Sequence, residues 1–349
     1  MSPTDHEARP HRVVQWASGT LGRSVIRGVL DRPDMELAGV WVHSPDKDGA
    51  DAGTLAGRPP TGVRATRDPA EILALDADCV VYAPGRPPLE DTDTVCALLA
   101  SGKNVVCTNG LVYPQAHGPH LVADLEQACK KGGTSLYGTG FNGGFMADVL
   151  PLVLARLVRR ITHVYSRECS DLSRHPSWGL VHDRLGFGRD EEAFLRSLRP
   201  ARTAMRALYS ECLHLVATGL GADLDEIDVD VDYRLAGTDL DIAAGRIPRG
   251  TVAAARWTFS GLTGARPAIT AEVIYKADAA RVPEWGDPGH SVRVDGRPSL
   301  ALTTDDAWVS DEVSAAAAHA LNAIPTVCAA APGVRTYLDL PAFSGRMQA

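Results

Sequence analysis

The chain has 349 residues, 45% of them hydrophobic, which is more material than one core usually organises, so two domains are expected. Lys and Arg total 35 against 43 Asp and Glu, a net charge of −8, and the basic residues are scattered rather than striped, which argues against a nucleic-acid partner. Residues 1–11 are polar and carry two prolines, and no later stretch reaches the ~18 uninterrupted apolar residues of a spanning helix. The expectation is a cytoplasmic protein with no membrane segment.

In chain order, Arg12–Trp16 reads as a strand, Leu21–Leu30 as a helix and Leu37–Val42 as a second strand, all within the length of one βαβ unit. Ser44–Gly62, rich in Gly, Pro and Asp, reads as loop. Cys79–Ala83 and Asn104–Cys107 are continuous apolar runs typical of strands buried on both faces. Helices fit between them: Asp91, Thr92 and Asp93 cap a run with Val95, Leu98 and Leu99, and Leu121, Val122, Leu125 and Cys129 recur before Gly132-Gly133.

After Phe145 the pattern changes to a helix containing Pro151, a strand over Ile161–Glu168, an irregular loop to Arg189 and a helix over Thr203–Leu220. Strand-like runs follow at Val229–Leu235, Val252–Phe259, Ile269–Tyr275, Ser291–Val294 and Ser299–Thr303, the last two joined through Asp295-Gly296. Asp311–Ala323 reads as a final helix whose apolar tail returns to the first domain. The fold class is an α/β Rossmann domain over 1–144, an α+β domain with an open, largely antiparallel sheet over 145–310, and a returning segment over 311–349. The seven cysteines lie 11 or more residues apart, without the paired spacing of a zinc or redox motif, and read as reduced, mostly packing thiols with no metal site.

The first strand runs into Ala17-Ser18-Gly19-Thr20-Leu21-Gly22 and then a helix, the context that a dinucleotide fingerprint requires. Gly19 would let the backbone approach a pyrophosphate, Gly22 would allow close helix packing, and Ala17 stands where the first glycine usually does, with a negative φ expected. No carboxylate stands at the end of the second strand to hold a ribose 2′-hydroxyl; Ser44 and Lys47 suit a 2′-phosphate, so NADP(H) is expected over NAD(H).

Thr108-Asn109-Gly110 lacks the Glu-Lys-Pro turn of glucose-fructose oxidoreductase-like enzymes, and the lysine signature of dihydrodipicolinate reductases is missing from the second domain. The runs VVQWASGTLGR (13–23), HSPDKDGADAG (43–53), CVVYAP (79–84), GKNVV (102–106), GTGFNGGFMADVLP (138–151) and LNAIPTVCAAAPG (321–333) resemble the 2,4-diaminopentanoate dehydrogenase and native amine dehydrogenase family, whose first domain is similar to dihydrodipicolinate reductase. The resemblance covers most of the chain. It implies that Ala83 and the Gly138, Thr139 and Asn142 loop line the cofactor, that Asn322 approaches it from the returning helix, and that the protein is a homodimer paired through the second domain.

The family's amine dehydrogenases carry a glutamate at the position aligned with Asn109, and asparagine cannot shuttle a proton. The alternative proton handlers are Glu168, Asp171, His175 and His182, with Trp178, Leu180 and Phe187 as pocket wall. The expected function is an NAD(P)H-dependent oxidoreductase that reduces a C=O or C=N bond of a small to medium apolar substrate. The alternatives are a true amine dehydrogenase using free ammonia and a non-catalytic dinucleotide-binding sensor or scaffold.

Overall fold

The computed structural model describes residues 9–85, 88–108 and 110–347, which fall into two units: Met1–Gly144 with Val313–Ala349, and Phe145–Glu312. In the first unit, β1 (His11–Trp16), β2 (Met35–Trp41), β3 (Ala65–Thr66), β4 (Cys79–Tyr82), β5 (Asn104–Cys107) and β6 (Ser135–Gly138) pair in parallel. Between them run α1 (Thr20–Leu30), α2 (Ala52–Leu55), α3 (Pro69–Ala74), α4 (Thr92–Ala100) and α5 (Pro119–Gly132). The spatial order β6-β5-β4-β1-β2-β3 reverses direction at β1, so a crevice opens beyond the carboxyl ends of β1 and β4.

The continuous apolar strands follow from burial on both faces. Val13, Val81, Val106 and Tyr137 face one core with Val25, Ile26 and Val29 of α1. Val14, Val80, Val105 and Leu136 face another with Leu98 and Leu99 of α4 and Leu125 and Cys129 of α5. Ser44–Gly62, expected as loop, carries a short turn at Pro45–Lys47 and helix α2. The Asp51 carboxylate organises this segment by accepting from the backbone amides of Gly53, Thr54, Thr61 and Gly62.

The second unit contains α6 (Val149–Ala155), β7 (Arg159–Asp171), α7 (Glu191–Gly219), β8 (Glu226–Leu235), β9 (Leu240–Ile242), β10 (Gly245–Ile247), β11 (Val252–Thr263), β12 (Arg266–Lys276), β13 (Gly289–Arg297), β14 (Leu300–Thr303) and α8 (Asp306–Ser310). The main sheet, ordered β14-β13-β7-β12-β11-β8, is antiparallel except where β7 meets β12; β9 and β10 form a separate pair. Helix α7 starts at Glu191, earlier than the expected Thr203. Asp190 caps it by accepting from Ala193 N, and Phe194 and Leu198 continue its buried stripe, so the helix carries Pro200 at the loss of one i→i−4 bond.

The chain returns through α9 (Glu312–Ala329) and β15 (Gly333–Arg335), so the expected helix over Asp311–Ala323 extends six residues further, through Pro325. Ala317, Ala320, Leu321, Ile324 and Val327 join the core under α1, where Gly28 lets Leu321 approach: a Cβ there would lie 2.4 Å from Leu321 Cδ1. β15 pairs in parallel with β6 and extends the sheet. No helix among the described residues is long and apolar enough to cross a membrane.

Candidate functional site

The turn after β1 presents backbone donors. Gly19 caps α1 at φ −68°, no side chain accepts from the helix's first amides, and no acidic residue lies in the first turn. The positive end of the helix dipole is therefore available to an anion. A Cβ on Gly19 would meet nothing within 4 Å, whereas one on Gly22 would lie 2.0 Å from the Ala17 carbonyl oxygen. Gly19 thus leaves room in front of the turn, and Gly22 seats the helix on the strand. These features fit a dinucleotide pyrophosphate.

Ala17 departs from expectation: its φ is +76°, in the left-handed region, which costs an L residue about 1 kcal/mol. Gln15 braces it, Nε2 donating to the carbonyl oxygens of Trp16 and Ala17 at 2.8 Å each, so both flanking peptide planes are pinned. Ser18 is buried. Lys47 folds back toward the turn, with Nζ 3.5 Å from the Ser18 carbonyl oxygen, and Ser44 opens the same short turn as Lys47.

Neighbouring strands end beside this turn. Ala83 N donates to the Trp16 carbonyl at 3.2 Å, placing the end of β4 against the end of β1. Asn109 lies outside the described residues; before it, Thr108 N donates to the Tyr82 carbonyl at 3.1 Å. At the end of β6, Gly138 is demanded by packing, since a Cβ would lie 2.0 Å from the Leu111 carbonyl oxygen. Thr139 Oγ1 is 2.7 Å from His319 Nδ1, which is also 3.3 Å from the Gly140 carbonyl oxygen, so α9 holds the loop leading to Asn142. Burial lowers the His319 pKa and favours the neutral ring.

His319 was not foreseen, while Asn322, one helical turn further on, points elsewhere. Its Oδ1 accepts from Arg32 Nη1 at 2.8 Å beyond the far end of α1, where Arg32 also pairs with Asp34. The expected approach of Asn322 to the cofactor is not what this geometry supports. Lys103, of the Gly-Lys pair, is structural: Nζ donates to the Leu73 carbonyl at 2.8 Å and lies 3.2 Å from Ser101 Oγ.

In the second unit, Glu168 stands on the buried face of β7, in register with Val273 of β12 and His290 of β13. Its Oε1 accepts from Ser170 Oγ at 2.9 Å. Tyr209 from α7 stacks on Phe259 of β11 above this face, with centroids 4.3 Å apart. Glu168 interacts electrostatically with Tyr209, Tyr275 and Glu312, the residue that opens α9. Burial, and secondarily Glu168, pushes the Glu312 carboxyl up to about 7. Burial pushes both tyrosines well above the usual phenol range, and holds His290 down to about 4. A carboxyl group inside an apolar core is costly unless it serves a purpose there, and one titrating near neutrality can exchange protons at working pH.

The acid and two histidines expected to cluster in the 165–183 segment do not share this environment. His175 Nδ1 accepts from Ser177 N at 3.2 Å, and His182 stacks on Trp178 and pairs with Asp183 at 3.1 Å. Asp171 caps backbone, accepting from Ser173 N. Phe187 is fully buried, whereas Trp178 is exposed. These side chains have partners in their own loops, and sequence proximity did not bring them to Glu168. Among the described residues no group of three His, Cys, Asp or Glu side chains could hold a metal.

A doubly wound sheet with an open glycine turn at its switch point, joined to a unit built on a mixed sheet, defines a nicotinamide-dinucleotide-dependent oxidoreductase. Residues 13–128 match the family model for the dihydrodipicolinate reductase N-terminus, and residues 145–349 match the 2,4-diaminopentanoate dehydrogenase C-terminal domain. The chain belongs to the 2,4-diaminopentanoate dehydrogenase family. It is 29% identical to an amine dehydrogenase of Streptomyces virginiae, over 94% of this chain and 95% of that one. It is 24% identical to a 2,4-diaminopentanoate dehydrogenase of Acetoanaerobium sticklandii, over 66% and 64% respectively. The solved amine dehydrogenase from Mycobacterium smegmatis shares the fold, with a TM-score of 0.81 at 22% identity, covering 98% of this chain and 99% of that one.

Proposed function

We propose that the protein reduces the C=N bond of an imine, or the C=O bond from which the imine is made, in a small to medium apolar substrate. The observation that carries this reading is the electrostatic pairing of the buried Glu168 with the half-buried Glu312. When bound, the nicotinamide dinucleotide supplies hydride to carbon. The chain must manage the nitrogen: Glu168 is a charge partner for an ammonium or iminium group, and Glu312, titrating near neutrality, gives or takes its proton. Tyr209 and Tyr275, kept neutral, add hydroxyl groups without adding charge. The names of the Streptomyces and Acetoanaerobium relatives support amine chemistry.

The same pair favours the alternative of reductive amination with free ammonia. Addition of ammonia to a ketone requires a proton acceptor, which Asn109 cannot be and Glu312 can. Lys47 and Ser44 support NADP(H) over NAD(H). A homodimer is proposed through the second unit, whose other sheet face carries a polar network of Tyr165, Arg167, Arg256 and Glu272; light scattering tests it. The test of function is oxidation of NADPH with a panel of apolar ketones and cyclic imines, with and without ammonium. Turnover of imines, or of ketones only with ammonium, supports the reading. Tight NADPH binding with no turnover of any substrate would instead favour the non-catalytic sensor.

A further inference from the structure

The turn after β1 contains one residue whose backbone runs against its side chain. Ala17 stands where the first glycine of a dinucleotide fingerprint usually does, and its φ of +76° is one that glycine adopts without strain and alanine does not. Hydrogen bonds hold it there. The Ala17 amide donates to the Trp41 carbonyl at the end of β2 at 2.9 Å, and Gln15 Nε2 donates at 2.8 Å to the carbonyl oxygens on both sides, those of Trp16 and Ala17. The Trp16 carbonyl also accepts from Ala83 N, so the brace sits where the ends of β1, β2 and β4 converge. The Ala17 carbonyl in turn lies against Gly22 in the first turn of α1, where a Cβ would come within 2.0 Å of that oxygen and 3.0 Å of Gln15 Nε2.

Gln15 is fully buried, and its Oε1 is a buried acceptor with no hydrogen-bond partner among the described residues. A buried amide left half satisfied is unfavourable, and an apolar side chain of the same length would fill the space without that penalty. The amide cannot turn over to relieve it, because Oε1 would then face two carbonyl oxygens at 2.8 Å. What glutamine supplies here, and an apolar residue cannot, is the pair of donated hydrogen bonds. Both go to the peptide groups that flank Ala17.

We propose that Gln15 is a positioning residue for the cofactor: its Nε2 holds Ala17 in the left-handed conformation, so that Gly19 and the opening amides of α1 face the pyrophosphate. It thereby lets an alanine occupy a position that otherwise calls for glycine. The proposal rests on the reading of this turn as the dinucleotide site. Gln15 acts through the backbone and touches no phosphate. Without the brace Ala17 relaxes to a negative φ, its carbonyl leaves Gly22, and Ser18 and Gly19 are redirected with it. Two consequences follow from this route of action. The loss falls on the pyrophosphate cradle, which NADH and NADPH share, so both weaken by the same factor. Glycine at position 17 needs no brace, so it makes Gln15 dispensable.

The experiment measures NADH and NADPH affinity by calorimetry, together with the melting temperature, in wild type, Gln15→Met, Ala17→Gly and the double variant. Gln15→Met should weaken both nucleotides about tenfold, the equilibrium cost of one unsupported left-handed residue. Ala17→Gly alone should bind within about threefold of wild type, and adding it to Gln15→Met should restore both affinities to that range, a coupling that two independent structural losses do not show. Unchanged affinity in a folded Gln15→Met protein, or a double variant as weak as Gln15→Met, would overturn the proposal while leaving the cofactor site in place. No binding of either nucleotide by wild type would overturn it together with the reading on which it rests. If Gln15→Met alone does not fold, the double variant decides: the proposal requires it to fold and bind, and its failure to do so overturns the proposal.

Discussion

Glu312 opens helix α9 within electrostatic reach of Glu168 on β7, and the proximity of that second carboxyl adds to burial in lifting Glu312 to about 7. In the proposed reaction the two carboxyl groups act together. Two carboxyl groups that resist ionising together offer one negative charge and one transferable proton, as imine reduction requires.

A pH dependence follows. The folded state holds the Glu312 proton more tightly than the unfolded chain does, raising the pKa from 4.5 to about 7. The associated stability is therefore fully present below about pH 4.5 and is lost as pH rises through 7. The loss is on the order of 3 kcal/mol. Thermal melts from pH 5 to pH 8 should show a falling Tm that flattens in Glu312→Gln, and kcat/KM for imine reduction should fall above pH 7 in wild type. An identical Tm profile in the variant would assign the proton elsewhere.

Glu168→Gln keeps the shape of the side chain and the Ser170 contact but removes the charge. Turnover should drop by ~10²–10⁴-fold while NADPH affinity stays unchanged. If the proton chemistry belongs to Glu168 and Glu312, as proposed, Asn109→Ala should leave any reductive amination within a few-fold of wild type. A large loss at Asn109 with none at Glu168 would reverse the assignment.

Gly19→Val tests the phosphate cradle. The backbone there has φ −68° and a Cβ meets no protein atom, so the variant should fold with a Tm close to wild type. The new side chain would occupy the space in front of the helix amides, and calorimetry should show NADPH affinity reduced at least ~100-fold, about 2.7 kcal/mol. Gly22→Ala should instead destabilise the fold, since its Cβ would collide with the Ala17 carbonyl.

The proposed preference for NADP(H) rests chiefly on the Lys47 ammonium. Lys47→Ala should weaken NADPH about tenfold, ~1.4 kcal/mol, and NADH much less. Titrations giving equal losses for both cofactors would place the 2′-phosphate away from Lys47.

What sequence made legible was local. The glycine turn lies within one strand, turn and helix, so spacing alone located it, and the apolar runs Cys79–Ala83 and Asn104–Cys107 became central strands because both faces are covered. What it concealed depends on pairing across long separations. Glu168 was visible only as one of several polar loop candidates; its partner Glu312 becomes relevant only once the residue opening α9 is brought to β7. Asn322 and His319 show the sensitivity of helical phase: a shift of three residues exchanges a contact with Thr139 for one with Arg32. The φ of Ala17 was equally hidden, because it depends on the bracing amide of Gln15.

The most direct measurement is product analysis by mass spectrometry after incubation of an apolar ketone with NADPH and nitrogen-labelled ammonium, in wild type and Glu168→Gln. The account predicts a labelled amine, formed in step with NADPH consumed, and its loss in the variant. No amine from the ketone and no reduction of preformed imines by a protein that binds NADPH, or amine formation indifferent to Glu168→Gln, would contradict it.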